Sequence, residues 1–306
     1  MHHVILRVDA DEVAIKLDGG NAPGLTDAIA RSMPHATLAV HCQVAGAEFC
    51  VPVPFFHWHE NRRIPSPGDV GYASFGNYLC FYYGEMAADD GPTNVVGRIA
   101  SSSASLESLG RRLLKQGARR AYLHDPAAPK STALALPPAG RSRMATLSRA
   151  LLQSTLTDPP GDVMHLRSAV LPAMGNIAGR LQASVLLLSL AEVMMNARTL
   201  ALDAPASLGG IAAGLTHQMA RYARWLAMAG LPGIADWLTI ARDVIHENAQ
   251  DVGTTARDLD EALVAIARLR FWVEAISPWH KVDADYRISD AVWSSVTSTV
   301  NDESRS

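Results

Sequence analysis

The chain of 306 residues lacks most of the signatures that assign a protein quickly. Its three cysteines, Cys42, Cys50 and Cys80, include no Cys-x-x-Cys pair. An odd count without a framework argues against a disulfide-stapled secreted domain and for a reducing cytoplasm, where buried thiols act as small hydrophobes. Charge of either sign is not in excess: 27 Lys and Arg against 30 Asp and Glu leave a formal charge of -3. Such a balance exerts no general pull on nucleic acid or on an anionic membrane. No Gly-rich phosphate loop, Gly-x-Ser-x-Gly elbow or His-Glu-x-x-His occurs, and Gly209-Gly210 with Gly214 is too loose a cluster for a nucleotide site. The most apolar run, 183–195, is interrupted by Glu192 and preceded by Arg180. It falls short of the ~20 uninterrupted apolar residues of a membrane helix. Met1 to Val8 reads at once as a strand, without a secretory pattern, so the expectation is a cytoplasmic protein bound neither to membrane nor to nucleic acid. No internal repeat is evident.

What is present divides into two grammars. The apolar content of 48% is ordinary, and the length suits two domains. In the first half, short strands are punctuated by Gly and Pro: 4–8 and 13–17 as a hairpin, a helix at 24–32, then 37–44 and 48–53 as a second hairpin. A long loop, 55–67, precedes the strands Pro67-Gly68-Asp69-Val70-Gly71-Tyr72, Leu79-Cys80-Phe81-Tyr82-Tyr83-Gly84 and Asn94-Val95-Val96-Gly97-Arg98-Ile99. Leu106, Leu109 and Leu113 line one face of a helix over 103–116, ahead of an edge strand at 121–123. Closely spaced short strands of this kind predict a small β-barrel. Prolines at 126, 129, 137 and 138 mark a linker. Beyond it, helices are expected at about 141–156, 163–201 with a break near Pro172, 208–229, 234–250 and 255–276, the last capped by Thr255 and Asp258. Residues 277–306 read as a polar tail with a short helix near Ala291. The predicted class is α+β: a barrel domain over 1–125, a linker over 126–140 and an all-α helical bundle over 141–306.

The order hairpin, helix, hairpin, long loop, then the three quoted strands resembles the small cyclophilin-like bacterial domains, over roughly residues 4–124. A cyclophilin-like domain followed by a helical bundle is similar in its domain order to the cucumopine and mikimopine (opine) synthases. The resemblance implies a Pictet–Spengler ring closure, in which an aromatic-type amino acid, histidine or a tryptophan-type amine, condenses with an aldehyde or a 2-oxo acid. It implies no metal and no redox cofactor. The catalytic arginine and aromatic groove of true prolyl isomerases are not found in the matching strands.

Such a reaction calls for an acid–base residue, a desolvated pocket and cationic sites for substrate carboxylates. Phe55-Phe56-His57-Trp58-His59-Glu60-Asn61-Arg62-Arg63 is the densest stretch of suitable groups. His57 and His59, at i and i+2, are candidates for acid–base work or, with His41 or Glu85 as a third ligand, for a metal, against plain loop packing. Glu85 follows the aromatic strand, at a barrel rim beside Tyr82 and Tyr83. It is a candidate base if those rings shield it and a turn residue if they do not. Tyr82 and Tyr83 should face opposite sides of their strand, one in the core and one free to stack on a substrate ring. Arg98 is a candidate carboxylate partner. In the bundle, Glu192 and Asn196 lie four apart on an apolar helix, and a buried Glu192 must be paired, with Arg180, Arg224 or Arg242, or face a cavity as a base. His217 and His246 read as surface or packing residues, and Trp225, Trp237 and Trp272 as core.

The expectation is a Pictet–Spengler enzyme binding its amino acid and carbonyl substrates between barrel and bundle. Glu85, His57, His59 or Glu192 would supply acid–base function, and Tyr82, Tyr83, Arg98 and Asn196 would bind substrate. The rivals are a non-catalytic small-molecule-binding or assembly protein, with the bundle as oligomer interface, and a prolyl isomerase. A homo-oligomer is left open.

Overall fold

A computed structural model describes residues 3–41, 46–86, 91–127, 142–155, 159–168 and 175–275. Cys42, most of the 126–140 linker, the break near Pro172 and the tail 277–306 lie outside the described residues. The chain divides into two compact units, one containing Met1–Pro137 and the other Pro138–Ser277.

The first unit is a closed barrel. Its strands are β1 (His3–Val8), β2 (Asp11–Leu17), β3 (His35–His41), β4 (Gly46–Pro52), β5 (Arg62–Arg63), β6 (Asp69–Ala73), β7 (Tyr78–Met86), β8 (Thr93–Ile99) and β9 (Arg119–His124). They run in the order β2-β1-β9-β3-β4-β7-β6-β8, and a β2–β8 pairing closes the ring, while the short β5 pairs with the other end of β8. Every pairing is antiparallel, which suits connections as short as the turn at Asp9 and Ala10. Closure leaves no free edge among these eight strands.

Alternation along the strands sets the inside of the barrel. Leu6, Ile15, Phe49, Val70, Leu79 and Phe81 are fully buried there, and the Phe49 and Phe81 rings stack at 4.9 Å. Two helices add to this core. α1 (Pro23–Ser32) contributes Leu25 and Ile29, and α2 (Ser103–Gln116) contributes the expected stripe Leu106, Leu109 and Leu113. Pro23 opens α1, where its missing N–H costs nothing, and α2 stops at Gly117, whose φ of 78° favours glycine.

Tyr83 points inward against α2, and its hydroxyl shares a 2.7 Å hydrogen bond with His41 Nε2. Burial pushes its phenol up to about 12. An unfolded tyrosine releases its proton near pH ~10. The folded state holds that proton longer, so this contribution is complete below pH ~10 and is lost as pH rises towards the folded value. Urea midpoints should fall between pH ~10 and ~12, and Tyr83→Phe should make that fall shallower. An unchanged slope would place the alkaline sensitivity elsewhere.

The second unit is helical: α3 (Arg143–Ser154), α4 (Gly161–Ser168), α5 (Gly175–Asp203), α6 (Leu208–Met228), α7 (Pro232–Glu247) and α8 (Val252–Ala275). α5 packs on α8 and α6, α6 on α7, and α3 on α8. On α8, Leu259, Leu263, Ile266, Leu269 and Val273 are buried as their spacing predicts. Its start differs from expectation. The helix begins at Val252, and Asp251 Oδ1 accepts from Thr254 N at 2.6 Å, so Asp251 is the cap. The Asp162 carboxylate of α4 similarly accepts from Ile234 N at the start of α7. Trp237 and Trp272 are buried as expected, whereas Trp225 is 36% exposed, with Arg221 over its ring. His217 and His246 are exposed. Within α5, Gln182–Asp203 is long and apolar enough by composition to cross a membrane. It also carries the buried Leu187, Leu190 and Met194, and it packs on neighbouring helices.

Candidate active site

The outward face of the barrel wall carries a row of polar side chains that no single segment of sequence displays. Phe49 and Phe81 point into the core, so Glu48 and Cys50 on β4, and Cys80 and Tyr82 on β7, point the other way. Register lines them up: Glu48 opposes Tyr82 and Cys50 opposes Cys80. Val70 opposes Phe81, which brings Asp69 of β6 beside Tyr82, and Gly68 N donates to Tyr82 O at 2.7 Å. Asp69 then opposes Arg98 of β8, and Arg98 opposes Lys16 of β2. The result is a cross-strand row Glu48–Tyr82–Asp69–Arg98–Lys16. With strands ~4.8 Å apart, Glu48 and Arg98 stand roughly 14 Å from each other along it.

The two ends differ in solvent. Although they face away from the barrel core, Glu48 and Tyr82 are only 3% exposed. Burial, reinforced by Cys80 and Glu48, pushes the Tyr82 phenol far above its ordinary range, so it stays a proton donor. Its ring lies over Gly71, where an added Cβ would stand 3.0 Å from the ring and 2.9 Å from Thr93 Cγ2. Glycine at 71 thus makes the space that Tyr82 fills.

The other end is open and cationic. A cavity of about 720 Å³ is lined by Lys16, Leu17, Asp18, Gly19, Gly20, Arg63, Val95, Gly97 and Arg98. It lies where β2 and β5 meet the same edge of β8, one at its end and one at its beginning. A register shift opposite Val70 and Gly71 lets β8 bulge there. Asp69, fully buried, organises the cations: its Oδ2 accepts from Arg63 Nη1 at 2.7 Å and from Ser66 N at 2.8 Å, and its Oδ1 lies 3.6 Å from Arg98 Nε. Hydrogen bonding to Asp69 raises the Arg63 pKa further. Hydrogen bonds from Asn21 hold Asp18 below the usual carboxylate range, so Asp18 lines the cavity as an anion with Lys16, Arg63 and Arg98, the two arginines also facing Asp69. The volume suits a small organic ligand, and the charge suits a carboxylate.

The other sequence candidates fall elsewhere. Arg98 lines the cavity, and Tyr82 belongs to the row. Tyr83, partly buried, packs against the core and Gly110 of α2. Glu85 is exposed near the end of β7, without the aromatic shielding a buried base needs. Glu192 and Asn196 are exposed too: α5 buries the stripe Ala183, Leu187, Leu190 and Met194, and Glu192 stands on another. Arg198 of α5 pairs with Asp260 of α8, and Arg242 pairs with its neighbour Asp243. His57 is half-buried, with Nε2 at 3.4 Å from Glu60. That carboxylate accepts from Gly24 N at 3.0 Å and Leu25 N at 2.7 Å, capping α1 from across the loop. The loop itself is pinned by His57 N donating to Tyr72 Oη and Glu60 N to Asn94 Oδ1. The stretch that looked most catalytic therefore ties a helix to the barrel. His59 is exposed, its pKa lowered by partial desolvation and by Arg62. His41 bonds Tyr83 inside the barrel, so the histidine metal site with His41 or Glu85 as third ligand is not assembled. Glu48 is the candidate residue that sequence reading missed. The alternation Glu48-Phe49-Cys50-Val51 carried the signal, but only register puts it against Tyr82.

No protein-family model matches the chain, and no curated protein is similar to it. Among solved structures, McbB in complex with tryptophan superposes with a TM-score of 0.73 at 16% identity, covering 93% of this chain and 99% of that one. The likeness establishes a shared fold across barrel and helices. A hypothetical protein from Archaeoglobus fulgidus, AF2241, aligns over 40% of this chain and 94% of its own, at 23% identity and a TM-score of 0.33.

Proposed function

We propose that this protein is a Pictet–Spengler enzyme, condensing an aromatic amino acid of the histidine or tryptophan type with an aldehyde or, preferentially, a 2-oxo acid. The observation that carries the reading is the outer-wall row, with a dry carboxylate and phenol at one end and a cationic cavity at the other. The shared fold with a structure that holds tryptophan supports an aromatic amino acid as one substrate.

Each step meets a group in the row. The neutral amine adds to the carbonyl, giving a carbinolamine. Loss of water gives an iminium, with the protonated Tyr82 phenol suited to hydrogen-bond the departing hydroxyl. A ring carbon attacks the iminium carbon, forming the C–C bond. Glu48 then takes the ring proton, and aromaticity returns. One water leaves overall. Arg98, Arg63 and Lys16 are suited to hold a substrate carboxylate at the open end.

Incubating purified protein with L-histidine or L-tryptophan-type amines plus aldehydes and 2-oxo acids tests this by mass spectrometry. The expected product weighs the sum of the substrates less one water and forms faster than without protein. Background rates across the panel would refute the reading. Arg98→Gln should raise KM for a 2-oxo acid about ten- to hundredfold, the worth of one charge-assisted hydrogen bond, while leaving KM for an uncharged aldehyde nearly unchanged. Equal effects on both carbonyl substrates would remove Arg98 from carboxylate binding.

A further inference from the structure

Beside the Glu48–Tyr82 pair runs a second cross-strand pair, Cys50 opposite Cys80, both buried and neither in a disulfide. Glu48 stands two residues before Cys50 on the same face of β4, so three donors from two strands converge. One ligand atom from each of Glu48, Cys50 and Cys80 lies within 4.8 Å of the others, and all three residues are buried. We propose that these residues form a binding site for a soft divalent cation of the zinc class.

The donor set fits that chemistry. Two thiolates select zinc-like ions over magnesium or calcium, and a carboxylate is an accepted third ligand. Zn–S bonds of about 2.3 Å in tetrahedral geometry put the sulfurs about 3.8 Å apart. Drawing the donors in from their present spread needs a movement of about 1 Å, within reach of side-chain rotation. Three protein ligands leave a fourth position for water, the arrangement of open rather than closed zinc sites. Binding takes the divalent ion and two neutral thiols and releases two protons, so affinity rises with pH. The site has a consequence that rests on the function proposed above: a metal on the Glu48 carboxylate occupies the oxygen needed as base, and zinc then inhibits the condensation.

The full-length protein, reduced and freed of metal by chelator, is titrated with cobalt(II). Thiolate-to-cobalt charge-transfer absorption should saturate at one equivalent and disappear when zinc is added. Cys50→Ser and Cys80→Ser should each weaken binding at least tenfold, and the double variant should abolish the band. No charge-transfer band in the wild-type protein at excess cobalt overturns the site, whether or not the variants fold. A band of equal strength in the folded double variant overturns it as well. Turnover measured alongside separates the two claims. A band with undiminished turnover keeps the metal site and removes Glu48 as base. Absence of the band with an inactive Glu48→Gln does the reverse.

Discussion

Glu48→Gln should slow product formation roughly 100- to 10,000-fold, the range that a positioned acid–base group contributes. The substitution is nearly isosteric and replaces a carboxylate that is 3% exposed, so the fold should survive and the loss should fall on chemistry. Accordingly kcat should drop while KM for the amino acid changes little, the mark of an interaction made mainly in the transition state. Glu48→Asp should lie between the two, because a carboxylate withdrawn by one methylene is misplaced by about 1 Å. Tyr82→Phe should cost less than Glu48→Gln, since water can still leave the carbinolamine unaided. Steady-state kinetics of these three variants, with melting temperatures as controls, check the assignment. A Glu48→Gln enzyme at wild-type rate would end it.

Gly97→Val should be among the most destabilising substitutions in the first unit. A Cβ at 97 would stand 2.5 Å from the Lys16 carbonyl oxygen and 3.1 Å from Leu17 Cα, both backbone atoms that cannot swing aside. Those atoms belong to β2 where it pairs with β8 and closes the barrel. Overpacking of this kind costs about 1–3 kcal/mol, and here relief means pulling β2 off its partner. The same movement deforms the cavity between β2 and β5, so binding of a 2-oxo acid should weaken in step with stability. Gly91→Ala is the control, because nothing lies within 4 Å of its Cβ, and it should stay within about 0.5 kcal/mol of wild type. Urea unfolding of both variants separates a steric effect at the closure from a general cost of losing glycine.

Most of the fold was legible in the sequence because its signals are local. The hairpin at β1–β2, the Leu106–Leu109–Leu113 stripe and the long helices of the second unit each depend on periodicity and punctuation within a few residues. The site depends on register, which sequence states only indirectly. Glu48 and Tyr82 are 34 positions apart, and nothing in either segment says that they oppose each other. Arg98, read from the sequence as a candidate carboxylate partner, lines the cavity. Its partners Arg63 and Lys16 were not assembled with it, since they arrive from β5 and β2.

The differences in placement have physical causes too. α5 is apolar on several stripes, with Val185 and Leu200 exposed beside Glu192, so composition could not say which stripe is buried. The cluster His57-Trp58-His59-Glu60 looked catalytic because charged and aromatic groups crowd together there. Helix α1 needed an acceptor for its first N–H groups, and Glu60 supplies it.

If the outer wall of the barrel forms the new carbon–carbon bond, it also sets the configuration at the new centre. The most direct measurement is the diastereomer ratio of the product from an L-amino acid and a 2-oxo acid, with and without the protein. One dominant diastereomer, reverting to the uncatalysed ratio with Glu48→Gln, is the predicted result. A product whose ratio and rate match the protein-free mixture would contradict the account.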